Sequence, residues 1–521
     1  MLPERGLRAA GGAIVALVLI AGLSLRLLET VRARLWIDEY LVLEIGSQAT
    51  AASVAAKLRS EANPPLYFLL AHVVLETAAD PELALRLISA LAGTLTTVLA
   101  AWVAWRRWGP LPAIVAAILV AASAVAIHYS AEIRPFALLG LVTLLYLEIL
   151  DRTLARPSIA SFAVEALLIV LATSLHAYGA PLLFVGPAVC LATFRYGALS
   201  RQFLVTGIAG AVLLPTTLFP LWRLVPETNE YLVDLWKGRS PLAPVVLMLR
   251  DVLPTSRWPS SLLPPTDALL LAAEGAAAIL AAALATVALA AGLRRRGAWR
   301  PDTYTVALLV LLSGNAAMAV FFSLTGRPVV APGRFSVPLV APFALTVAAA
   351  SRAAPTGRAC AAGLAGLGIL SLSLRLARPT VTGIRPEALA AEVLSRNATG
   401  PSLILTVGLS GIPLRYAFRK RADVTFRSYP IEIDRHIGWW APRHHLGHPD
   451  DLARDAEELS REALTVSQSG RRIFIEGADS PIAVPLRAAL SGSFRPRPLN
   501  RLDAGLFELV PIENARAGEA R

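Results

Sequence analysis

The sequence predicts a mainly α, polytopic transmembrane helical protein with a small α/β domain at its C-terminal end. Three observations predict it. Of 521 residues, 55% are hydrophobic and only 17% charged, and the mean hydropathy is +0.58, a balance foreign to soluble domains. Apolar runs of about 20 residues, the length that crosses hydrocarbon as a helix, recur through the first 380 or so positions. Beyond them the pattern changes to short alternating strands and helices.

The formal charge of +12 would suggest nucleic acid in a soluble chain. Here much of the arginine sits in short clusters between apolar runs, where it orients helices. Cys190 and Cys360 both fall inside expected spans, so there is no disulfide framework, and no CxxC motif exists. Residues 1–8 followed by an apolar run have the look of a signal peptide. No small-x-small cleavage site leads into a soluble domain, so the run reads as a retained first helix.

Taken in order, span 10–28 follows Arg5 and Arg8 and starts from the cytoplasm. Residues 29–62 form a polar, partly helical outer loop, and 64–78 a helix lying at the outer surface. Spans 82–105, 111–128, 135–150, 159–175, 180–194 and 202–222 then alternate, with arginine clusters at their inner ends. A second, proline-rich outer loop fills 223–266, with a surface helix near 242–252. Spans 268–292, 303–324, 335–351 and 358–376 complete about eleven crossings. The odd number leaves the C-terminus outside. A membrane domain over 1–379, with outer loops 29–81 and 223–266, is therefore followed by an extracytoplasmic α/β domain over 380–521. In that domain 402–407, 423–427, 472–476 and 504–511 read as strands, and 410–419, 450–466 and 483–491 as helices.

This threading rests on arginine clusters alone, yet it puts Asp38, Glu39, Glu132, Arg134, His176, Arg327 and Arg334 on one face. Charge near hydrocarbon is costly and marks function by default. For each residue singly a plainer reading exists: an acidic pair in a solvated loop, an arginine ending a helix, an interfacial histidine. Together they offer carboxylates for proton abstraction and cations for an anion, at the boundary where a lipid phosphate resides.

The motifs Leu35-Trp36-Ile37-Asp38-Glu39, Asn63-Pro64-Pro65-Leu66-Tyr67, Ala84-Leu85-Arg86-Leu87 and Tyr129-Ser130-Ala131-Glu132-Ile133-Arg134-Pro135 resemble the bacterial C-type (GT-C) integral membrane glycosyltransferases. The branch is that of protein O-mannosyltransferases and lipid A aminoarabinose transferase. His176 with Tyr178, and Arg334-Phe335 with Pro338, are similar to later segments of that branch. The chain departs from it with Asn63 in place of a histidine, Ala131 in place of a glutamine and Phe335 in place of a tyrosine. The resemblance covers about 30–150 firmly and 170–350 more thinly; it does not extend across the C-terminal domain. It implies a monosaccharide moved with inversion from a polyprenyl-phosphate donor to an extracytoplasmic hydroxyl of a lipid, envelope glycan or protein. It also implies a multi-pass protein of the bacterial cytoplasmic membrane. Asp38 is then the expected base or acceptor-positioning group, with Glu39 and Glu132 as the other catalytic carboxylates. Arg134, His176, Arg327 and Arg334 are expected on the donor phosphate, and Tyr67, Tyr129 and Tyr178 on the substrates.

Two arrangements neutralise a lipid phosphate: a divalent cation held by carboxylates, or arginine and histidine side chains. A metal would occupy the carboxylate needed as base and leave the arginines without an anion. The expectation is therefore no metal and no other cofactor, with a divalent cation held by the carboxylates as the alternative. A polyprenyl-linked glycan ligase or polymerase is the rival within this chemistry. A transporter would need paired repeats with polar groups near mid-membrane, and no repeat is visible. A non-catalytic scaffold presenting its outer domain leaves the clustered charges unused. Residues 436–448 hold four of the seven histidines and two tryptophans. Their spacing fits no zinc template, and a loop packing the outer domain is the plainer reading.

Overall fold

A computed structural model describes residues 4–58, 63–218, 230–253, 302–326, 328–331, 333–353, 355–377, 386–435, 442–499 and 505–512. In chain order the helices begin with α1 (Glu4–Arg32), α2 (Ile37–Gly46), α3 (Ala51–Leu58), α4 (Leu66–Thr77), α5 (Pro81–Trp108), α6 (Pro110–Ala121) and α7 (Ala124–Tyr129). They continue with α8 (Phe136–Ala155), α9 (Ile159–Leu175), α10 (Leu182–Ala192), α11 (Tyr196–Leu213), α12 (Glu230–Trp236) and α13 (Ala243–Val252). Next come α14 (Thr303–Leu324), α15 (Val337–Ala353), α16 (Pro355–Ala377) and α17 (Pro386–Asn397). The C-terminal part follows as β1 (Ser402–Val407), α18 (Gly411–Ala417), β2 (Val424–Tyr429), α19 (Glu432–Arg435), α20 (Pro442–Gly447), α21 (Pro449–Gln468), β3 (Arg472–Glu476), α22 (Val484–Ser491), β4 (Phe494–Pro498) and β5 (Phe507–Pro511).

Four helices among the described residues are long and apolar enough to cross a membrane: Arg8–Arg32, Pro81–Trp108, Tyr196–Leu218 and Thr303–Leu324. Shorter apolar helices, such as Pro110–Ala121 and Ile159–Leu175, fill much of the rest. The expected span 268–292 lies outside the described residues. The expected span 111–128 is not one helix: it ends at Ala121 and restarts as α7. Ser123 causes the break locally, since its hydroxyl accepts the Ala126 N–H and caps the new helix. Proline at N1 and glycine before it start α6 directly after the Arg106-Arg107 turn.

The chain forms two compact units. One comprises Met1–Ala33, Ala78–Trp222 and Tyr231–Thr380; the other comprises Arg34–Thr77, Arg223–Glu230 and Val381–Arg521. Helices α2, α3 and α4 thus group with the C-terminal domain. Within the second unit the sheet order is β2-β1-β3-β5-β4, with β1 parallel to β2 and β3, and β5 antiparallel to β3 and β4. Every residue of β1 is buried, as a central strand covered on both faces requires. Leu403 and Leu405 enter one core with Leu452, Ala456, Leu459 and Ala463 of α21. Ile404 enters the other with Phe474 and Leu394. Strand β4 was not anticipated, because Pro496 and Pro498 argue against a strand. It lies at the sheet edge, where proline is tolerated.

Phe474, fully buried on β3, anchors one face of this sheet. Phe474→Ala should cost about 3–5 kcal/mol, read as lost hydrogen-exchange protection of the β1 and β3 amides in the full-length protein.

Candidate functional site

The first unit assembles its polar groups around the buried segment 130–134 between α7 and α8. This stretch is not helical, yet Ser130, Ala131, Glu132, Ile133 and Arg134 are all buried. A buried carbonyl left without a donor costs about 1–3 kcal/mol, so neighbouring side chains must serve it. Arg86 Nη1 donates to the Ala131 carbonyl. Ser89 Oγ donates to the Glu132 carbonyl at 2.7 Å. From α1, the fully buried Arg26 donates through Nε to Ser130 Oγ at 3.2 Å and to the carbonyls of Gly22 and Val120. Gly93 of α5 makes this junction fit: a Cβ there would lie 2.0 Å from Ser130 Oγ and 3.0 Å from Arg26 Nε.

The segment so held presents Glu132 and Arg134. Glu132 Oε1 lies 2.9 Å from His128 Nε2, one helical turn back. Its other oxygen is buried with no hydrogen-bond partner among the described residues. Arg134 stands 5.5 Å from the centre of the Phe136 ring. Phe136 also touches Tyr129 and His176, each with ring centroids 5.0 Å apart. His176 is 4.3 Å from Tyr178 by the same measure, and Tyr178 meets Phe335 edge-on at 5.0 Å. An aromatic wall of Tyr129, Phe136, Tyr178 and Phe335 therefore backs the charged groups.

Tautomer and charge at His176 follow from its neighbours. The Tyr178 N–H donates to His176 Nδ1 at 3.2 Å, which leaves the ring proton on Nε2 in the neutral form. Burial, then the guanidinium groups of Arg134 and Arg334, push the imidazole down to about 3. Burial first, and then the charge of Glu132, push the Tyr129 hydroxyl well above its usual range. Both side chains are accordingly neutral hydrogen-bond donors near pH 7.

Arg334 sits in a turn fastened by a residue the sequence reading did not single out. Asp251, at the end of α13 and 1% exposed, accepts the Gly333 N–H at 2.7 Å and the Ser336 hydroxyl at 3.3 Å through Oδ2. Gly333 has φ +71°, a backbone region that glycine enters without strain. Tyr178 braces the same strand of chain: its hydroxyl donates to the Val329 carbonyl at 2.9 Å and accepts the Ala331 N–H at 3.3 Å. Next to this turn lies an apolar cavity of about 210 Å³, lined by Val245, Met248 and Val252 of α13, Leu312 of α14, and Leu339 and Phe343 of α15.

The structure thus brings together Tyr129, Glu132, Arg134, His176, Tyr178 and Arg334. Arg327 lies outside the described residues, as does the first half of the histidine- and tryptophan-rich stretch. Asp38, Glu39 and Tyr67 belong to the second unit. Asp38 occupies the first turn of α2, where a carboxylate is favoured by the helix dipole. Glu39 is fully buried, and its carboxylate accepts the Trp36 N–H at 3.2 Å, capping its own helix. Tyr67 is fully buried within α4.

No protein-family model matches the chain, and no curated protein sequence does. A solved structure does: ArnT from Cupriavidus metallidurans in the apo state superposes with TM-score 0.54 at 14% identity, over 97% of this chain and 98% of that one. ArnT of the same organism bound to undecaprenyl phosphate superposes with TM-score 0.46 over the same shares. The first likeness shows the fold. The chain shares the ArnT fold, mainly helical with a small C-terminal sheet, as the sequence led us to expect.

Two predictions follow from these contacts. Gly93→Ala should destabilise by about 1–3 kcal/mol through overpacking, and Ser130→Gly should recover part of that in the double variant, measured by thermal unfolding in detergent. His176 should stay neutral from pH 8 down to pH 5 in side-chain nitrogen NMR. Its depressed value means that the stability it contributes is full above the unfolded value near 6.5 and is lost as pH falls toward 3. Replacing Arg134 and Arg334 by methionine should raise that titration point.

Proposed function

We propose that this protein is a membrane glycosyltransferase that moves a monosaccharide from a polyprenyl-phosphate donor to a hydroxyl of an extracytoplasmic acceptor. The observation that carries the reading is the pairing of Arg134 and Arg334 around a neutral His176, beside the buried carboxylate of Glu132. Two guanidinium groups suit the planar, bidentate recognition of a phosphate. His176 Nε2–H adds a neutral donor. The adjoining apolar cavity suits the hydrocarbon next to that phosphate, and the fold supports the same class.

In this reading the acceptor hydroxyl gives its proton to the Asp38 carboxylate as its oxygen attacks the anomeric carbon. The bond from that carbon to the phosphate oxygen breaks, and its electron pair stays on the leaving polyprenyl phosphate. Attack opposite the leaving group inverts the anomeric centre. Arg134, Arg334 and the Nε2–H of His176 stabilise the charge that grows on the phosphate. The buried Glu132 beside His128 holds the local charge balance against the arginines. The arginines make a divalent cation unnecessary for the phosphate, so the reaction is metal-independent. The site faces outward from the cytoplasmic membrane, as the arginine clusters orient the helices.

The test is turnover in lipid nanodiscs with polyprenyl-phosphate-linked glucose, mannose, galactose and arabinose as donors, followed by release of polyprenyl phosphate. Asp38→Asn should lower the rate by about 10²–10⁴-fold while the protein still inserts and melts normally. Arg334→Ala should weaken donor binding sharply, and EDTA should leave the rate unchanged. Wild-type turnover from Asp38→Asn, or activity abolished by EDTA and restored by Mg²⁺ or Mn²⁺, would overturn these assignments. Turnover only with oligosaccharide lipids would favour a glycan ligase.

A further inference from the structure

We propose that the C-terminal α/β domain is a positioning element of the reaction: through Tyr416 and Arg415 of α18 it fixes the helix α2 that carries Asp38. The inference rests on Asp38 being the base.

Helix α2 has ten residues. Isolated helices shorter than about 12–15 residues are marginal in water, so packing must set its place. On one side it meets α4. His72 Nδ1 lies 2.9 Å from the Gly46 carbonyl oxygen, and a Cβ on Gly46 would stand 3.0 Å from Leu75 and 3.3 Å from Ala71. On the other side it meets α18. The rings of Tyr40 and Tyr416 are 6.2 Å apart at 59°, with Tyr416 only 3% exposed. Arg419 stands 3.9 Å over the Tyr416 ring. Tyr40 and Glu44 are four residues apart and share a helix face. Glu44 is buried, which pushes its carboxyl up, while the charges of Arg415 and Lys57 oppose that shift.

These cations are themselves anchored in the C-terminal domain. Arg415 pairs with Asp434 and donates to Ser428 Oγ at 2.9 Å. Lys57 Nζ donates to the Asp434 carbonyl at 3.2 Å, and Asp434 Oδ1 accepts the Ser428 N–H at 3.1 Å. Asp434 therefore ties α3, α18 and β2 into one frame, and α2 rests on that frame two and six residues beyond Asp38. A tilt of so short a helix carries its first turn with it. Misplacing a reacting group by 1 Å can cost about 10²-fold in rate.

The experiment uses full-length protein in nanodiscs with whichever donor of the panel above supports turnover. Tyr416→Ala and Arg415→Ala should each lower kcat by about tenfold or more, with the donor KM within about twofold, and Tyr416→Phe should keep the wild-type rate. A second arm reads hydrogen exchange of the α2 amides, which should lose protection in Tyr416→Ala and keep it in Tyr416→Phe. Wild-type kcat in both alanine variants, a change in KM alone, or α2 protection unaltered in Tyr416→Ala would overturn the proposal while leaving the base assignment intact. Wild-type turnover of Asp38→Asn would instead remove the base assignment and this inference with it.

Discussion

Buried backbone that is neither helix nor strand must find hydrogen-bond donors elsewhere, and most of the site in the first unit depends on how segment 130–134 meets that demand. Its carbonyls and its serine are served by Arg26, Arg86 and Ser89, which reach in from two long helices. Those helices are apolar on most faces, so each polar residue they bury is costly unless it is fully used. Here the donors cross-brace α1, α5 and the loop, and the loop in turn aims a carboxylate and a guanidinium. The same economy recurs at the Arg334 turn, where one carboxylate, that of Asp251, accepts from both a backbone amide and a hydroxyl.

Much of the helical architecture was legible because apolar runs and arginine clusters are read without knowing any partner. Much of the polar cluster that forms the candidate site was legible as well: Glu132, Arg134, His176 and Tyr178 stand out as polar groups at the ends of apolar runs. Their supports were not. Arg26 reads as the end of a span rather than its buried hub, and Asp251 as one more charge on a surface helix. Each gains meaning only from a partner about a hundred residues away or, for Asp251, some eighty. The break at Ser123 was hidden for another reason. The run around it is uniformly apolar, so periodicity carries no information, and a single hydroxyl marks where the next helix begins. In the C-terminal domain the central strands announced themselves as short apolar runs, whereas β4 was masked by prolines that only an edge position permits.

Charge balance in the site follows one rule. Burial first, and then the positive potential of Arg134 and Arg334, keep His176 unprotonated. Tyr129 stays protonated, since burial and the charge of Glu132 both disfavour its anion. On the proposed reading, these neutral donors and guanidinium groups would meet a donor phosphate with little reorganisation.

Helix α13 carries the wall of the apolar cavity and, at its last turn, the carboxylate that fastens the Arg334 turn. Met248 and Asp251 are three residues apart, about 4.5 Å along a helix axis. On the proposed reading, in which the donor is a polyprenyl phosphate, the helix would work as a ruler. A lipid seated here would be measured only over the few carbons beside its phosphate, while the remainder of its chain would lie beyond the gauge. Discrimination among lipids would then fall on the saturation and branching of the first isoprene units, and total chain length would go unread.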